Sequence, residues 1–392
     1  MGVTREDSLV LADDRFARFE LIEWWDQARL QDARILVVGA GALGNEVLKN
    51  LALLGVGHVV LVDMDRVELS NLNRSVLFRE SDEGEPKALS AAKAVRGLYP
   101  EIRIEPIVGN VLAEVGLGYF RWAQVVVGAL DNREARVFVN SACAMVNRPW
   151  IDGGIEVLQG IVRGFAPPAT SCYECTMSQI DWDLLNQRRS CSLLAGRAVN
   201  SQATPTTPTT ASVVAAIQVQ EVVKLLHDME ALLGRGYVFD GAGHSSYGVT
   251  YPIDPGCGWH EPPAPIETLT DLDSDTRLAT VWDRASGILG GVDALDLSRD
   301  LVAALECPNC GRRREVYVPL PRVSWEQMRC GSCGEECFPH FLHSATADDR
   351  VLSRTLRELG LPAWDVVWAR LGEEIVGIEI AGDRPLRDSR TG

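Results

Sequence analysis

The sequence predicts an α/β protein: a doubly wound, mostly parallel sheet covered by helices, followed by a smaller C-terminal α+β domain. Three observations carry this expectation. From Arg34 to about residue 153, short β-rich apolar runs alternate with stretches of helical spacing, the pattern of a parallel sheet with helices on both faces. Beyond that point, adjacent strand-like runs read as antiparallel pairs. Six of the ten cysteines then form three C-x-x-C pairs, which calls for an account separate from packing. A chain of 392 residues suits two or three domains at roughly 100–200 residues each.

The elements follow in order. Residues 1–33 are mixed, rich in Arg and Trp, and read as a helical lead-in. ARILVVGAGALG is a strand ending in glycines, NEVLKNLALLGVG has helical spacing with a Gly stop, and HVVLVDMD is a second buried strand. Together they form a βαβ unit. A helix is expected over about 84–98, strands at IRIEPIV and AQVVVGAL, a helix at NREARVFVNSACAMVNR, and a strand after PWIDG. Residues 176–210 read as a polar connection containing Cys191 and the tract ATPTTPTTAS; long connections of this kind are usually functional or mobile. ASVVAAIQVQEVVKLLHDME is a buried helix, YVFDGAGHSSYGVTYP a strand pair, and the prolines of DPGCGWHEPPAPIE mark a boundary. The segment 263–392 reads as a separate domain with an acidic helix, two C-x-x-C pairs, and a last stretch, LSRTLRELGLPAWDVVWARLGEEIVGIEI, expected to form a helix and two strands.

Composition narrows the function. Apolar residues make up 46% and charged residues 23%, near the globular norm, which excludes a wholly disordered or fibrous chain. No apolar run approaches the roughly 18 residues needed to span a bilayer. The opening MGVTREDSLV lacks the basic start and apolar segment of a secretory signal. A cytoplasmic protein outside the membrane is expected. The charge is 38 − 54 = −16, without the overall basic footprint of a general nucleic-acid binder.

The first chemical signal is Gly39-Ala-Gly41-Ala-Leu-Gly44, a G-x-G-x-x-G run between a strand and a helix. Its glycines allow a tight turn and close backbone approach to phosphate, at the positive end of a helix. Asp63 ends the next strand, where a carboxylate reaches ribose hydroxyls. This Rossmann-like signature alone suits an NAD or FAD enzyme equally well. Asp63 and Asp131 taken singly also suit helix capping, and Arg74 and Lys87 surface charge.

The residues that follow separate these readings. Asp63-x-Asp65 leads to Ser70-Asn71-Leu72-Asn73-Arg74, then Gly84-Glu85-Pro86-Lys87, then Ala129-Leu130-Asp131-Asn132. In this order the motifs resemble the E1-like adenylyltransferases, the family of ubiquitin-activating enzymes and of the sulfur-carrier activators of thiamin and molybdopterin synthesis. The resemblance covers roughly residues 10–260, so 34–262 would be the adenylation domain. It implies ATP and Mg2+ as cofactors. Gly39, Gly41, Gly44 and Asp63 would hold the nucleotide; Asn71, Arg74 and Lys87 would surround the triphosphate; Asp131, beside Asn132, would bind magnesium. Arg18, in RFARF, matches an Arg that reaches the γ-phosphate of a neighbouring subunit, which implies a homodimer; here Arg15 is close by and Phe19 stands where Gln is usual.

Without an export signal, close cysteine pairs favour metal thiolates over disulfides. Cys307, Cys310, Cys330 and Cys333 have the spacing of a zinc ribbon over 307–333. Cys172 and Cys175 precede Cys257-Gly-Trp-His260 by 81 residues. The resemblance implies a structural zinc there, with His260 in place of the usual last Cys. Two closed Zn2+ sites with structural roles are expected; Cys337, His340 and His343 are left without a role, and Cys143 is read as core.

Cys191, in Arg188-Arg189-Ser190-Cys191-Ser192, lies where relatives that pass on ubiquitin-like proteins carry a thioester cysteine; neighbouring arginines favour thiolate. The C-terminal stretch is faintly similar to a ubiquitin-fold domain that recruits a conjugating enzyme, with a small zinc-stabilised accessory domain as the plainer reading. The resemblance therefore implies an enzyme that adenylates the C-terminal glycine of a ubiquitin-like protein and loads it on Cys191 for an E2-like partner. The compact form is similar to E1-like proteins of bacterial ubiquitin-like conjugation operons, some tied to antiviral defence. The alternatives are a sulfur-carrier adenylyltransferase leading to a thiocarboxylate, a non-catalytic partner subunit, and, least favoured, a nicotinamide oxidoreductase.

Overall fold

The structure, a computed structural model, describes residues 14–192 and 205–384, with the backbone alone for residues 186–192. The chain runs through α1 (Gln27–Gln31), β1 (Arg34–Val38), α2 (Ala42–Leu53), β2 (His58–Asp63), α3 (Lys87–Leu98), β3 (Arg103–Val108), α4 (Val111–Glu114), α5 (Leu117–Trp122), β4 (Val125–Gly128), α6 (Arg133–Met145), β5 (Trp150–Glu156) and β6 (Gln159–Phe165). Then come α7 (Gln179–Ser192), α8 (Pro208–Leu226), β7 (Arg235–Asp240) and β8 (Ser245–Thr250). These eight strands form one sheet in the order β3-β2-β1-β4-β5-β6-β7-β8. The first five pair in parallel and the rest antiparallel, as the change of pattern near residue 153 predicts. Residues 35–38 and 59–62 are buried throughout, because strands covered on both faces carry continuous apolar runs instead of alternation.

A second, mixed sheet is built from β9 (Ile266–Leu269), β10 (Ala294–Glu306), β11 (Arg313–Pro319), β12 (Phe338–Ala345), β13 (Val366–Leu371) and β14 (Glu374–Ile380), with α9 (Leu278–Leu289) and α10 (Trp325–Met328). Its order is β11-β10-β13-β14-β9, and β12 also pairs with β10. This second domain is joined to the first by a common core: Trp364, Val366 and Ala381 pack in one cluster with Leu117, Phe120 and Val126. Gly118 is required at that joint, since a Cβ there would lie 2.3 Å from the Trp364 ring. Asp365 accepts from the Leu117 N–H at 2.9 Å, and buried Arg299 donates to the carbonyls of Leu112 and Val115 while pairing with Asp365 at 3.3 Å.

Several expectations need correction. Among described residues, the lead-in before β1 is only a 3-10 turn at Phe19–Leu21 and the five-residue α1. The polar connection is partly helical, as α7 shows. The acidic residues Asp271, Asp273 and Asp275 precede α9 instead of lying in it. TLRELG is a turn, not a helix: the N–H groups of Leu356 and Arg357 donate to the carbonyls of Thr276 and Ser274, and Gly360 takes φ +70°. Tertiary partners there replace the i→i−4 bonds that helical spacing suggested. Finally, α8 is 19 residues long with mean hydropathy 1.2 and meets the length and apolarity of a membrane span. It packs against α2 and β5, with Val214, Ala215, Val219 and Val222 in the main core, so burial inside the fold accounts for its composition.

Candidate nucleotide site and metal centres

β1 lies between β2 and β4, so the connections leaving its neighbours run in opposite directions and open a crevice at the strands' C-terminal ends. The three motif glycines meet different demands there. Gly39 has φ +103°, and a Cβ on it would sit 2.3 Å from the Ala129 carbonyl oxygen. A Cβ on Gly44 would lie 2.0 Å from the Gly39 carbonyl oxygen, which sets how closely α2 approaches the loop. Gly41 has open space around its Cβ position and is the N-cap of α2, leaving backbone accessible at the positive end of a 12-residue helix.

Asp63, at the end of β2, braces this loop. Its Oδ2 accepts from the Ala40 N–H at 2.6 Å and its Oδ1 from the Asp65 N–H at 2.8 Å. Burial pushes its carboxyl pKa up, and the two backbone bonds pull the other way. Asp65 in turn holds Lys87, whose Nζ lies 2.9 Å from Oδ2; the Lys87 side chain is only 13% exposed. Thus Gly39–Gly41, Asp63 and Lys87 are brought together by a continuous chain of contacts. Asn71 is buried and accepts from the Glu68 N–H at 3.1 Å, shaping the loop that carries Arg74. Arg74 itself is half-buried and donates to the Ser70 carbonyl at 2.5 Å and to Asn73 Oδ1 at 3.1 Å.

Just beyond β4, Asn132 caps α6 by accepting from the Ala135 N–H at 2.8 Å. The helix-cap role therefore belongs to Asn132. Asp131 is exposed, and its polar partner among the described residues is Asn132 Nδ2, at 3.1 Å. Arg18 is not brought to this loop. It is exposed in the same turn as Phe16, whose ring packs on Gly55, just past the C-terminal end of α2. Gly41 caps the other end of that helix, about 18 Å away at 1.5 Å per residue. Cys191 lies on the α7 backbone; its side chain is outside the described residues.

Both predicted cysteine clusters are assembled. Cys172, Cys175, Cys257 and His260 place their ligand atoms within 4.8 Å of one another, as do Cys307, Cys310, Cys330 and Cys333. In the first cluster the sulfurs of Cys172 and Cys175 are 3.8 Å apart, those of Cys172 and Cys257 3.5 Å, and His260 Nε2 is 3.0 Å from Cys175. A tetrahedral zinc with sulfurs at about 2.3 Å needs them roughly 3.8 Å apart, so the donor set fits. The ribbon sulfurs span 3.4–3.9 Å. Its knuckles turn at Gly311 and Gly334, both with positive φ; the N–H groups of Ser332 and Cys333 draw the Cys330 thiol down, while hydrogen bonds with the other ribbon sulfurs push Cys310 up. Cys143 is fully buried in α6, as expected. His340 and His343 pair with Glu306 and Asp300 and Cys337 is buried apart from them. The expectation is one zinc in each site: elemental analysis of purified protein should give two per chain, falling to one in Cys310→Ser, and a metal-free folded protein would exclude it.

Residues 14–252 match the ThiF family. The chain belongs to that family. It is 35% identical over 236 residues to the SAMP-activating enzyme E1 of Haloferax volcanii, covering 59% of this chain and 81% of the relative. It is 42% identical over 154 residues to the sulfur carrier protein adenylyltransferase of Thermus thermophilus, covering 38% of this chain. It is 37% identical over 153 residues to the NEDD8-activating enzyme E1 catalytic subunit of Schizosaccharomyces pombe, again covering 38% of this chain. The chain spans 57% and 34% of the lengths of these last two relatives. In fold it is similar to E. coli MccB, solved with MccA-N7isoASN: TM-score 0.52, 23% identity, 64% of this chain and 76% of that one.

The ThiF match ends before Cys257, so His260 and the whole ribbon lie beyond it. Inside it, three groups escaped the sequence reading. Asn45 is fully buried, donates to the Ala40 and Gly41 carbonyls at 2.7 and 3.1 Å, and accepts from the Leu77 N–H at 2.9 Å, locking the glycine loop to the Arg74 loop. Asp152, also fully buried, pairs with Arg136 at 2.9 Å and Arg163 at 2.5 Å. Gln218 donates to the Gly128 and Ile151 carbonyls at 2.9 and 3.2 Å. A polar residue inside an apolar helix was the available signal for Asn45 and Gln218; Asp152 had none. A cavity of about 600 Å³ lies at the opposite end of the sheet, lined by Arg29, Arg34, Gln124 and Asp228 among others. Arg29 there is already paired with Asp228 at 2.5 Å, and none of the motif residues line that cavity.

Proposed function

We propose that this ThiF-family protein adenylates the C-terminal carboxylate of a small ubiquitin-like or sulfur-carrier protein, using ATP. The supporting observation is the junction at the ends of β1, β2 and β4, where Gly41 opens the helix N-terminus, Asp63 braces the loop and Lys87 stands beside it. A carboxylate oxygen of the carrier attacks the α-phosphorus, the bond to the β-phosphate breaks, and pyrophosphate leaves. The nucleophile is already ionised at pH 7, so the chain needs no strong base. Its task is to hold two anions together: Arg74, Lys87 and the α2 dipole offset charge, and Asp63 orients the ribose. Asp131, exposed and with its carboxylate little engaged, fits a hard cation. Magnesium held there would draw charge from the leaving phosphates.

In the finer reading, the Cys191 thiolate attacks the acyl carbon, AMP leaves, and the thioester passes to an E2-like cysteine. The competing reading, favoured by the 42% identity to a sulfur carrier protein adenylyltransferase, sends the adenylate to a sulfur donor and yields a thiocarboxylate. One experiment separates them. Under the thioester reading, Cys191→Ala keeps carrier-dependent ATP–pyrophosphate exchange and loses a carrier adduct cleaved by reducing agent. Sulfide-dependent thiocarboxylate formation unaffected by Cys191→Ala selects the sulfur-carrier route, and absence of any exchange in the unaltered protein selects the non-catalytic subunit. The position of Arg18 at the far end of α2 supports its use in a second copy's site. A homodimer is therefore expected, with Arg18→Ala impairing adenylation; a fully active monomer that tolerates the change excludes this.

A further inference from the structure

The second domain contains a charged cavity that adenylation does not use. It has a volume of about 230 Å³, a floor of Leu305, Cys330 and Cys337, and walls that include Arg312, Arg314 and Arg329. The pairing register puts it on one face of the sheet: Leu305 lies opposite Arg314 on β11 and opposite Pro339 on β12, two residues after Cys337. None of the three guanidiniums has a carboxylate partner among the described residues. Arg312 donates to Ser332 Oγ, Arg314 donates to the Gln327 carbonyl, and Arg329 lies over the Trp325 ring at 5.1 Å. Elsewhere in the same domain Arg284, Arg354, Arg357 and Arg370 each face an Asp or Glu, while Arg277, Arg313 and Arg350 also have no carboxylate partner among the described residues; what sets the three apart is that they converge on one cavity.

Three cations around so small a space repel one another, and a chain with 54 acidic residues had many ways to neutralise them. The cavity holds the volume of about eight waters at roughly 30 Å³ each, room for one or two carboxylate side chains. Guanidinium forks match carboxylates in two-point contacts. A counter-charge role toward the ribbon thiolates is the plain competitor, yet no guanidinium here donates to a sulfur among the described residues. A nucleic acid is disfavoured, because Glu326, Glu335 and Glu336 flank the arginines and a polyanion needs an extended basic track. We propose that the cavity formed by Arg312, Arg314 and Arg329 beside the ribbon is a docking site for a short acidic segment of a partner protein.

The test uses the full chain, purified with its metal, and a fluorescent peptide alternating Asp or Glu with Gly. Fluorescence anisotropy should show binding that weakens between about 50 mM and about 300 mM salt. The triple change Arg312→Gln, Arg314→Gln, Arg329→Gln should weaken it at least about tenfold, the value of one lost charged contact of about 1.4 kcal/mol. Arg314→Gln alone should weaken it a few-fold and guards against a folding defect in the triple variant. Arg350→Gln, an exposed arginine that does not line the cavity, should leave binding unchanged. Zinc content and ATP–pyrophosphate exchange should be unaltered by all of these, so failure of this proposal is distinguishable from failure of the adenylation reading. Unchanged peptide affinity in both cavity variants overturns the proposal. So does loss of ribbon zinc in the triple variant, which would make the arginines metal counter-charges. A single-stranded oligonucleotide that binds more tightly, with the same dependence on the three arginines, also overturns it.

Discussion

Asp131→Ala is expected to lower carrier-dependent ATP–pyrophosphate exchange by about 10²–10³-fold, the equivalent of several kcal/mol of lost charge stabilisation. The size follows from what the carboxylate faces. Pyrophosphate departs as a highly charged group, and a cation held by Asp131 acts where that charge develops. The change should spare the fold, because Asn132 and not Asp131 caps α6 and Asp131 is exposed. The thermal midpoint should therefore stay within about 1–2 °C of the unaltered protein, as for ordinary surface changes. Asp131→Asn should retain more exchange than Asp131→Ala, since an amide oxygen remains a weak ligand. Exchange within threefold of the unaltered protein in Asp131→Ala would remove this residue from the mechanism and with it the proposed metal position.

Asp152→Ala should produce the largest loss of stability of any single change considered, about 3–5 kcal/mol. The carboxylate is fully buried between Arg136 and Arg163, whose side chains are 12% and 16% exposed. Burial by itself pushes the Arg163 guanidinium down, and the Asp152 charge and hydrogen bond, together with Tyr173 and Tyr251, outweigh it. Removing the carboxylate leaves two cations facing each other without their anion. Asp152→Asn should cost less, because its oxygen still accepts one bond. A thermal midpoint lowered by more than about 5 °C is the expected reading, and a shift under about 1 °C would show that water replaces the carboxylate. Exchange activity should fall as well, since Arg136 also donates to the Leu130 carbonyl at 2.5 Å, in the turn that carries Asp131.

The glycine loop, Asp63 and the Cys307–Cys333 ribbon were legible because each rests on local rules. A strand, a Gly turn and a helix place Gly39 and Asp63 at neighbouring strand ends whatever the rest of the chain does, and C-x-x-C spacing makes half of a metal site before folding. The pairing of Cys172 and Cys175 with Cys257 and His260 depended on family resemblance, because 81 intervening residues carry no spacing rule. TLRELG was misread for the opposite reason. Its helical pattern was real, but the N–H groups of Leu356 and Arg357 found carbonyls at Thr276 and Ser274, which local periodicity does not encode.

By itself, the order of residues determined the parallel half of the sheet, the loop that can approach phosphate, and the close cysteine pairs of the ribbon, because side-chain period and short-range stereochemistry act within a few residues. Only the tertiary structure decided that Asn45 ties one loop to another, that Asp152 balances two arginines, that α8 is a core helix, and that three arginines close on one cavity. Burial and charge pairing are properties of what surrounds a group in space, and the surroundings of these residues come from distant parts of the chain.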